Sequence, residues 1–180
     1  MKMKELMYQV LTDEFKKYAR WTQETAIYKT KESAITCCLL GLGGETVELY
    51  QHTLESRLDD DLIKKEFGDI LWYIGHLSSV TGIVDELNIQ PAEYMFDELF
   101  EYAGTIQEHF KKVVRDFDFD IESSGKRETI VLLINDFLSQ IHAHIEDVYD
   151  YDFEEIMLMN KEKLNSRKDR GVISGSGDNR

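Results

Sequence analysis

Apolar residues recur along this chain at steps of three and four, the spacing that gathers side chains on one face of an α-helix. Leu11, Phe15 and Tyr18 form one such stripe, and Ile63, Phe67, Ile70, Ile74 and Leu77 a second. Met95, Leu99, Tyr102, Ile106, Phe110 and Val113 form a third; Ile130, Ile134, Phe137, Ile141, Ile145 and Val148 form a fourth. No run alternates apolar and polar residues between turn signals, as a half-buried strand would. The pattern predicts an all-α protein with helices over about 3–19, 32–53, 60–81, 92–115, 127–149 and 153–167.

The punctuation agrees. A single proline, Pro91, leaves room for long uninterrupted helices, and its own place is just before the fourth helix or at its first position. Gly82 stands where a left-handed residue would end the third helix. Ser123, Ser124 and Gly125 mark the break before the fifth. Residues 169–180, rich in glycine, read as an irregular tail on a single domain spanning residues 1–180.

Composition removes several functions. Lys and Arg number 21 against 35 Asp and Glu, a net charge of −14. Such a chain does not suit a nucleic-acid polymer or an anionic membrane surface, both of which call for basic residues. The opening MKMKELMYQVLTDEF lacks the apolar stretch of a secretory signal, and Ile70 to Ile74 is far short of the ~20 residues that cross a bilayer. Adjacent Cys37 and Cys38 cannot staple distant parts of a fold; they read as small helix residues, buried or half-buried, in a reducing cytoplasm.

Candidate chemistry lies in GLGGETVEL and KKEFGDILWYIGHL. Glu45 and Glu48 are three residues apart and share a helix face, and Glu66 and Asp69 repeat the spacing on the next helix. A short connection near Ser56 to Asp60 makes these helices antiparallel neighbours, so four carboxylates converge between them. An isolated E-x-x-E is usually a solvated face. These pairs, however, sit within apolar runs, where unpaired carboxylates are not normally placed. Gly41, Gly43, Gly44 and Gly68 flank them, and glycine costs ~1 kcal/mol inside a helix, which predicts a close approach of backbone or ligand there. Crowded carboxylates call for a cation, and hard oxygens at this density suit Mg²⁺ or Mn²⁺, with open positions for a phosphate.

E-x-x-E, seventeen residues, then E-x-x-D resembles the signature of the MazG-type nucleoside triphosphate pyrophosphohydrolases, in the all-α NTP pyrophosphatase superfamily. Thr25-Ala26-Ile27-Tyr28 looks like the T-A-x-Y stretch ahead of the first acidic helix. Glu66 to Tyr73 looks like E-x-G-D-x-L-W-Y. The ending Asn160-x-x-Lys163-Leu164-x-x-Arg167, with RGVISGSGDNR after it, is similar to the C-terminus of short phage-type members.

The resemblance implies an antiparallel helical bundle and Mg²⁺-dependent cleavage of a nucleoside triphosphate between its α and β phosphates, giving a monophosphate and pyrophosphate. Glu45, Glu48, Glu66 and Asp69 would hold the metal. Glu45, slightly favoured, or Glu48 would activate the water. Asn160, Lys163 and Arg167, on one face of the last helix, would hold phosphate oxygens, and Tyr28 joins the substrate-binding set. The family's short members pass almost directly from the third helix to the last, whereas this chain inserts two helices over about 85–151. The insertion completes a bundle within one chain or enlarges an interface; a homodimer is favoured, with a tetramer as the alternative. Runner-up substrates are dUTP or dUDP and phosphoribosyl-ATP, and the other class is a catalytically silent helical regulator that binds a nucleotide or a protein.

Two patterns lead nowhere. Asp116, Asp118 and Asp120 begin like a calcium loop but have Ile121 at the glycine position and Arg127 at the twelfth. No histidine stands three residues after a glutamate, so the E-x-x-H pairs of di-iron bundles are missing. His52 and His76 project along the acidic faces one to two turns away. Trp21 and Trp72 are candidates to stack on a base, with core packing favoured for Trp72.

Overall fold

The structure, a computed structural model, describes residues 2–54, 59–93 and 96–174. Its helices are α1 (Lys2–Trp21), α2 (Lys31–Thr53), α3 (Asp60–Thr81), α4 (Phe96–Phe117), α5 (Arg127–Ala143) and α6 (Phe153–Asp169). Among the described residues there is no strand, and no helix is long and apolar enough to cross a membrane. The fold is an all-α helical bundle.

Local chemistry sets the helix ends. Thr30 opens α2 with a capping box: its hydroxyl accepts from the Ser33 amide at 3.1 Å, and the Ser33 hydroxyl accepts from the Thr30 amide at 3.2 Å. Asp59 caps α3 and Asp152 caps α6 through their carboxylates. Gly82 closes α3 at φ 75, the left-handed conformation that glycine adopts without strain. After Ala143 the helix widens into a π turn, His144–Val148, which carries the expected fifth helix almost to its predicted end.

The central element is α3, which packs against α1, α2 and α6, while α4 lies along α2 and pairs with α5. Phe15 and Tyr18 of α1, Leu42 and Leu49 of α2, and Phe67, Ile70, Leu71 and Ile74 of α3 are almost wholly removed from water. Phe110 of α4, Phe137 of α5 and Phe153 of α6 extend the same core, so α4 and α5 pack into one bundle with the other helices. Glycine lets α1 and α3 approach closely: a Cβ at Gly75 would stand 3.2 Å from the Ala19 Cα.

The fourth helix begins later than the sequence predicts. Residues 87–93 stay extended because side chains of neighbouring helices take their backbone hydrogen bonds. The Ile89 amide donates to the Thr12 hydroxyl at 2.9 Å, Asn88 to the Asn135 carboxamide at 2.9 Å and Gln90 to the Ser139 hydroxyl at 3.0 Å. Pro91 therefore lies in this strap rather than at a helix start. Met95 of the third stripe, Ser56 to Leu58 of the α2–α3 connection and residues 175–180 of the tail lie outside the described residues.

Thr12 and Ile89 are both buried, so the strap makes a sharp prediction. Thr12→Val keeps the shape but leaves the Ile89 amide without its acceptor, which costs about 1–3 kcal/mol. Urea unfolding should show that loss with little change in slope; unchanged stability would mean the strap is held by apolar packing alone.

Candidate functional site

The α2–α3 hairpin sets the site. Gly41 of α2 lies against the Tyr73 ring of α3, and one turn or more further along Glu45 and Glu48 face Glu66, so the two helices run antiparallel. Glu45, Glu48, Glu66 and Asp69 all line one cleft of about 390 Å³. One oxygen from each of Glu45, Glu48 and Glu66 lies within 4.8 Å of the others, a spacing that a single cation can bridge. The set is hard oxygen, which fits Mg²⁺ or Mn²⁺ and does not suit a soft metal.

Asp69 stands outside that trio. Its Oδ1 and Oδ2 accept from Lys163 Nζ at 2.6 and 2.7 Å, and Oδ1 also accepts from Asn160 Nδ2 at 2.9 Å. Asn160 is buried and is itself fixed by the Tyr18 hydroxyl, which donates to its Oδ1 at 2.8 Å. Two of the residues read from the sequence as phosphate donors thus rest on a carboxylate in this structure. Arg167 and Tyr28, the other members of that set, line the cleft directly.

Crowding shapes the acid chemistry. Burial raises the Glu45 carboxyl from an ordinary 4.5 to about 9, helped by the charges of Asp69 and Glu66 and a hydrogen bond to Glu66. Burial likewise raises Glu66, opposed by the hydrogen bond from Glu45 and by His52. His52 Nε2 stands 3.5 Å from Glu66 Oε1. Near neutrality Glu45 therefore holds a proton that it shares with Glu66, the way like charges in one site avoid ionising together.

Of the four glycines around the acids, three are explained by close approach. A Cβ at Gly41 would stand 2.3 Å from the Tyr73 ring, one at Gly43 2.5 Å from the Gln107 amide, and one at Gly68 3.0 Å from the Asn160 Cβ. Gly68 is what lets α6 bring Asn160 and Lys163 down onto Asp69. Gly44 faces open space instead, on the outside of α2.

Part of the cleft lining is aromatic. Trp72 donates its indole N–H to the Thr25 hydroxyl at 3.0 Å and stacks on His76, with ring centroids 5.1 Å apart. Tyr28 packs on both, so the T-A-x-Y stretch and the L-W-Y stretch form one wall. The Thr22 hydroxyl donates to the Ala19 carbonyl at 2.7 Å and meets His76 Nδ1 at 3.1 Å, so Nδ1 carries the ring proton. Burial lowers the His76 pKa to about 4, so this ring is a neutral part of the wall. The tail begins with a turn in which the Val172 amide returns to the Arg167 carbonyl at 2.9 Å, and this sets Ile173 and Ser174 at the edge of the cleft.

The chain is 34% identical over 99 residues to the Gene 37 protein of Mycobacterium phage L5, an alignment that takes in 55% of this chain and 85% of that protein. The chain belongs to the family of that phage protein. The relative's name states no activity. No protein-family model and no solved structure matches the chain.

In this member of the phage family, the acids and the Thr25–Tyr28 stretch were visible in the sequence, but several partners were not. Tyr18 carries no signal, because its role is a contact across 142 positions of sequence. Tyr73 sits in the E-F-G-D-I-L-W-Y run and is one turn beyond Asp69, which in hindsight places it on the acidic face. Cys38 is buried as expected, whereas Cys37 is exposed. The Asp116–Asp120 decoy is a local turn in which the Asp120 carboxylate accepts from the amides of Glu122 and Ser123.

The raised Glu45 pKa has a sign that can be tested. The folded state holds this proton more tightly than the unfolded chain, so its stabilising contribution is full below about 4.5 and is lost as pH rises towards about 9. Glu45→Gln, whose amide can replace the acid proton toward Glu66, should raise Tm by a few degrees at pH 8 in EDTA and do little at pH 4. A thermal scan in which the variant gains nothing at pH 8 would contradict the shared proton.

Proposed function

We propose that the chain is a Mg²⁺-dependent nucleoside triphosphate pyrophosphohydrolase, with Mn²⁺ as an alternative ion. The observation that supports this most is a cleft lined by the three-carboxylate cluster, by Arg167 and by the aromatic side chains of Tyr28 and Trp72. Those parts match a triphosphate with a base attached. Glu45, Glu48 and Glu66 would hold the ion, with Asp69 joining when Lys163 yields it. When bound, the divalent ion offsets the negative charge of the triphosphate and polarises its phosphoryl oxygens.

The remaining work falls to side chains. Glu48, or Glu45 once its shared proton has left, takes a proton from the attacking water, whose oxygen forms the new bond to the α-phosphorus. The bond from that phosphorus to the bridging oxygen breaks, and pyrophosphate leaves with the electron pair. Arg167, and Lys163 at the same end of α6, donate to phosphate oxygens as that charge develops. Asn160 and Tyr18 hold Asp69 in register, and Tyr28 with Trp72 gives the base a flat apolar surface.

A homodimer belongs to the same proposal. On the outside of α2, opposite its core face, Cys37, Leu40, Gly44, Val47 and Leu54 form an exposed stripe at alternating steps of three and four or their multiples. No charged residue lies between Ser33 and Gly44. Two copies that each carry −14 can meet most easily on such a face. Light scattering should give a dimer for the native chain and a monomer for Leu40→Glu; a native monomer would remove the proposed interface.

Turnover tests the activity. Each common NTP and dNTP, with Mg²⁺ and with EDTA, should be separated by anion exchange; the reading expects monophosphate and pyrophosphate only with the metal. Glu48→Gln and Asp69→Asn should lower kcat by at least about a hundredfold with helical content intact. Diphosphate and phosphate as products would mean a different bond, and full activity in both variants would remove the metal assignment.

A further inference from the structure

Away from the cleft, the first turns of α1 carry an apolar stripe that stays exposed among the described residues. Met3, Leu6, Met7 and Val10 are 85%, 63%, 52% and 50% exposed. They follow the i, i+3, i+4, i+7 spacing of a buried helix face, and span about two turns, on the order of 10 Å. Isolated exposed apolar residues are ordinary, but four on one stripe are not. The core side of the same helix is fully used by Tyr8, Leu11, Phe15 and Tyr18, so this stripe is surplus to folding.

The stripe is one wall of a groove of about 630 Å³. The opposite wall comes from the π turn and the start of α6, and it is acidic: Glu146, Asp147, Asp152 and Glu154 line it. Lys4 is the one Lys or Arg among the described lining residues. Asp152 caps α6 and Glu146 accepts from the Phe153 amide at 2.9 Å, so two of the four carboxylates are fixed in place along the groove. Tyr8 and His142 form its floor, ring centroids 5.4 Å apart, and are buried there.

We infer that this groove docks an amphipathic helix of another protein, one that lays apolar side chains on Met3, Leu6, Met7 and Val10 and sets lysine or arginine against the acidic wall. Charge complementarity selects this occupant. A second copy of the chain would bring further carboxylates to an acidic wall, and an anionic membrane would be repelled by it. Unbranched methionines are the side chains that adapt to a helical ligand, and helix-in-groove binding reads just such i, i+3, i+4, i+7 anchors. The inference does not depend on the chemistry of the cleft, which lies among other residues.

Fluorescence anisotropy with two dye-labelled synthetic peptides tests it on the full chain. One is a Leu/Lys amphipathic helix about five turns long, and the other a Leu/Glu helix of the same pattern. The Leu/Lys peptide should bind saturably at one per chain and the Leu/Glu peptide should not. Leu6→Ser with Val10→Ser should weaken it at least about tenfold. Asp147→Asn with Glu154→Gln should weaken it and flatten its salt dependence. Leu132→Ser, which alters an exposed leucine on α5, is the control and should change nothing. Circular dichroism checks that each variant keeps its helices. Absence of saturable binding, or equal binding by the Leu6/Val10 variant, would overturn the inference, since the latter is diffuse attraction to an acidic protein. A fall in the native oligomer's mass on Leu6→Ser/Val10→Ser would overturn it too, by making a second copy the occupant.

Discussion

Everything at the centre of this bundle follows from placing acids against a core. Glu45, Glu48 and Glu66 bring oxygens within 4.8 Å of one another, and Asp69 lies a turn further along the same wall. Repulsion and lost hydration would drive such a group apart. The chain meets the problem in three places. Glu45 keeps a proton and shares it with Glu66, His52 stands beside Glu66, and Lys163 with Asn160 covers Asp69. A fold that needed only stability would replace these groups with apolar ones, because a buried ion pair is weak support for a fold.

The surrounding architecture holds that arrangement in register. The close seat of Tyr73 on Gly41 fixes the α2–α3 hairpin, and the seat of Asn160 on Gly68 fixes α6 against α3. Tyr18, wholly buried in α1, reaches through to Asn160, so three helices converge on one carboxylate. Thr25 ties Trp72 in the same manner within the cleft lining. Helices α4 and α5 add core, α5 together with α1 anchors the 87–93 strap, and none of their described residues lines the cleft. The site thus belongs to α1, α2, α3 and α6, together with the segment that joins α1 to α2 and the residues that follow α6.

Much of this was legible in one sequence, for definite reasons. The helices were readable because their buried faces repeat at 3.6 residues, and Gly82 and the Ser123–Gly125 break were readable because few residues suit those backbone positions. The acids were readable because carboxylates three apart inside apolar runs need a reason. Contacts between helices were not. The start of α4 depends on side chains of α1 and α5 that take the backbone hydrogen bonds of residues 88–90, and no local propensity encodes that. Lys163 sits on the face that its spacing from Asn160 and Arg167 predicts, yet the distance to Asp69 decides what it touches. Gly44 looked like its neighbours in sequence and proved to face outward, since one step along a helix turns a residue by about 100°.

The central proposal is that the Glu45, Glu48 and Glu66 cluster is a divalent-cation site rather than a stabilised knot of acids. Mn²⁺ titration followed by electron paramagnetic resonance reads this directly, before any substrate is chosen. The account predicts one saturable site per chain, displaced by Mg²⁺ and lost in Glu66→Gln with the helices intact. Mn²⁺ that stays free at stoichiometric concentrations, or binding indifferent to Glu66→Gln, would contradict it.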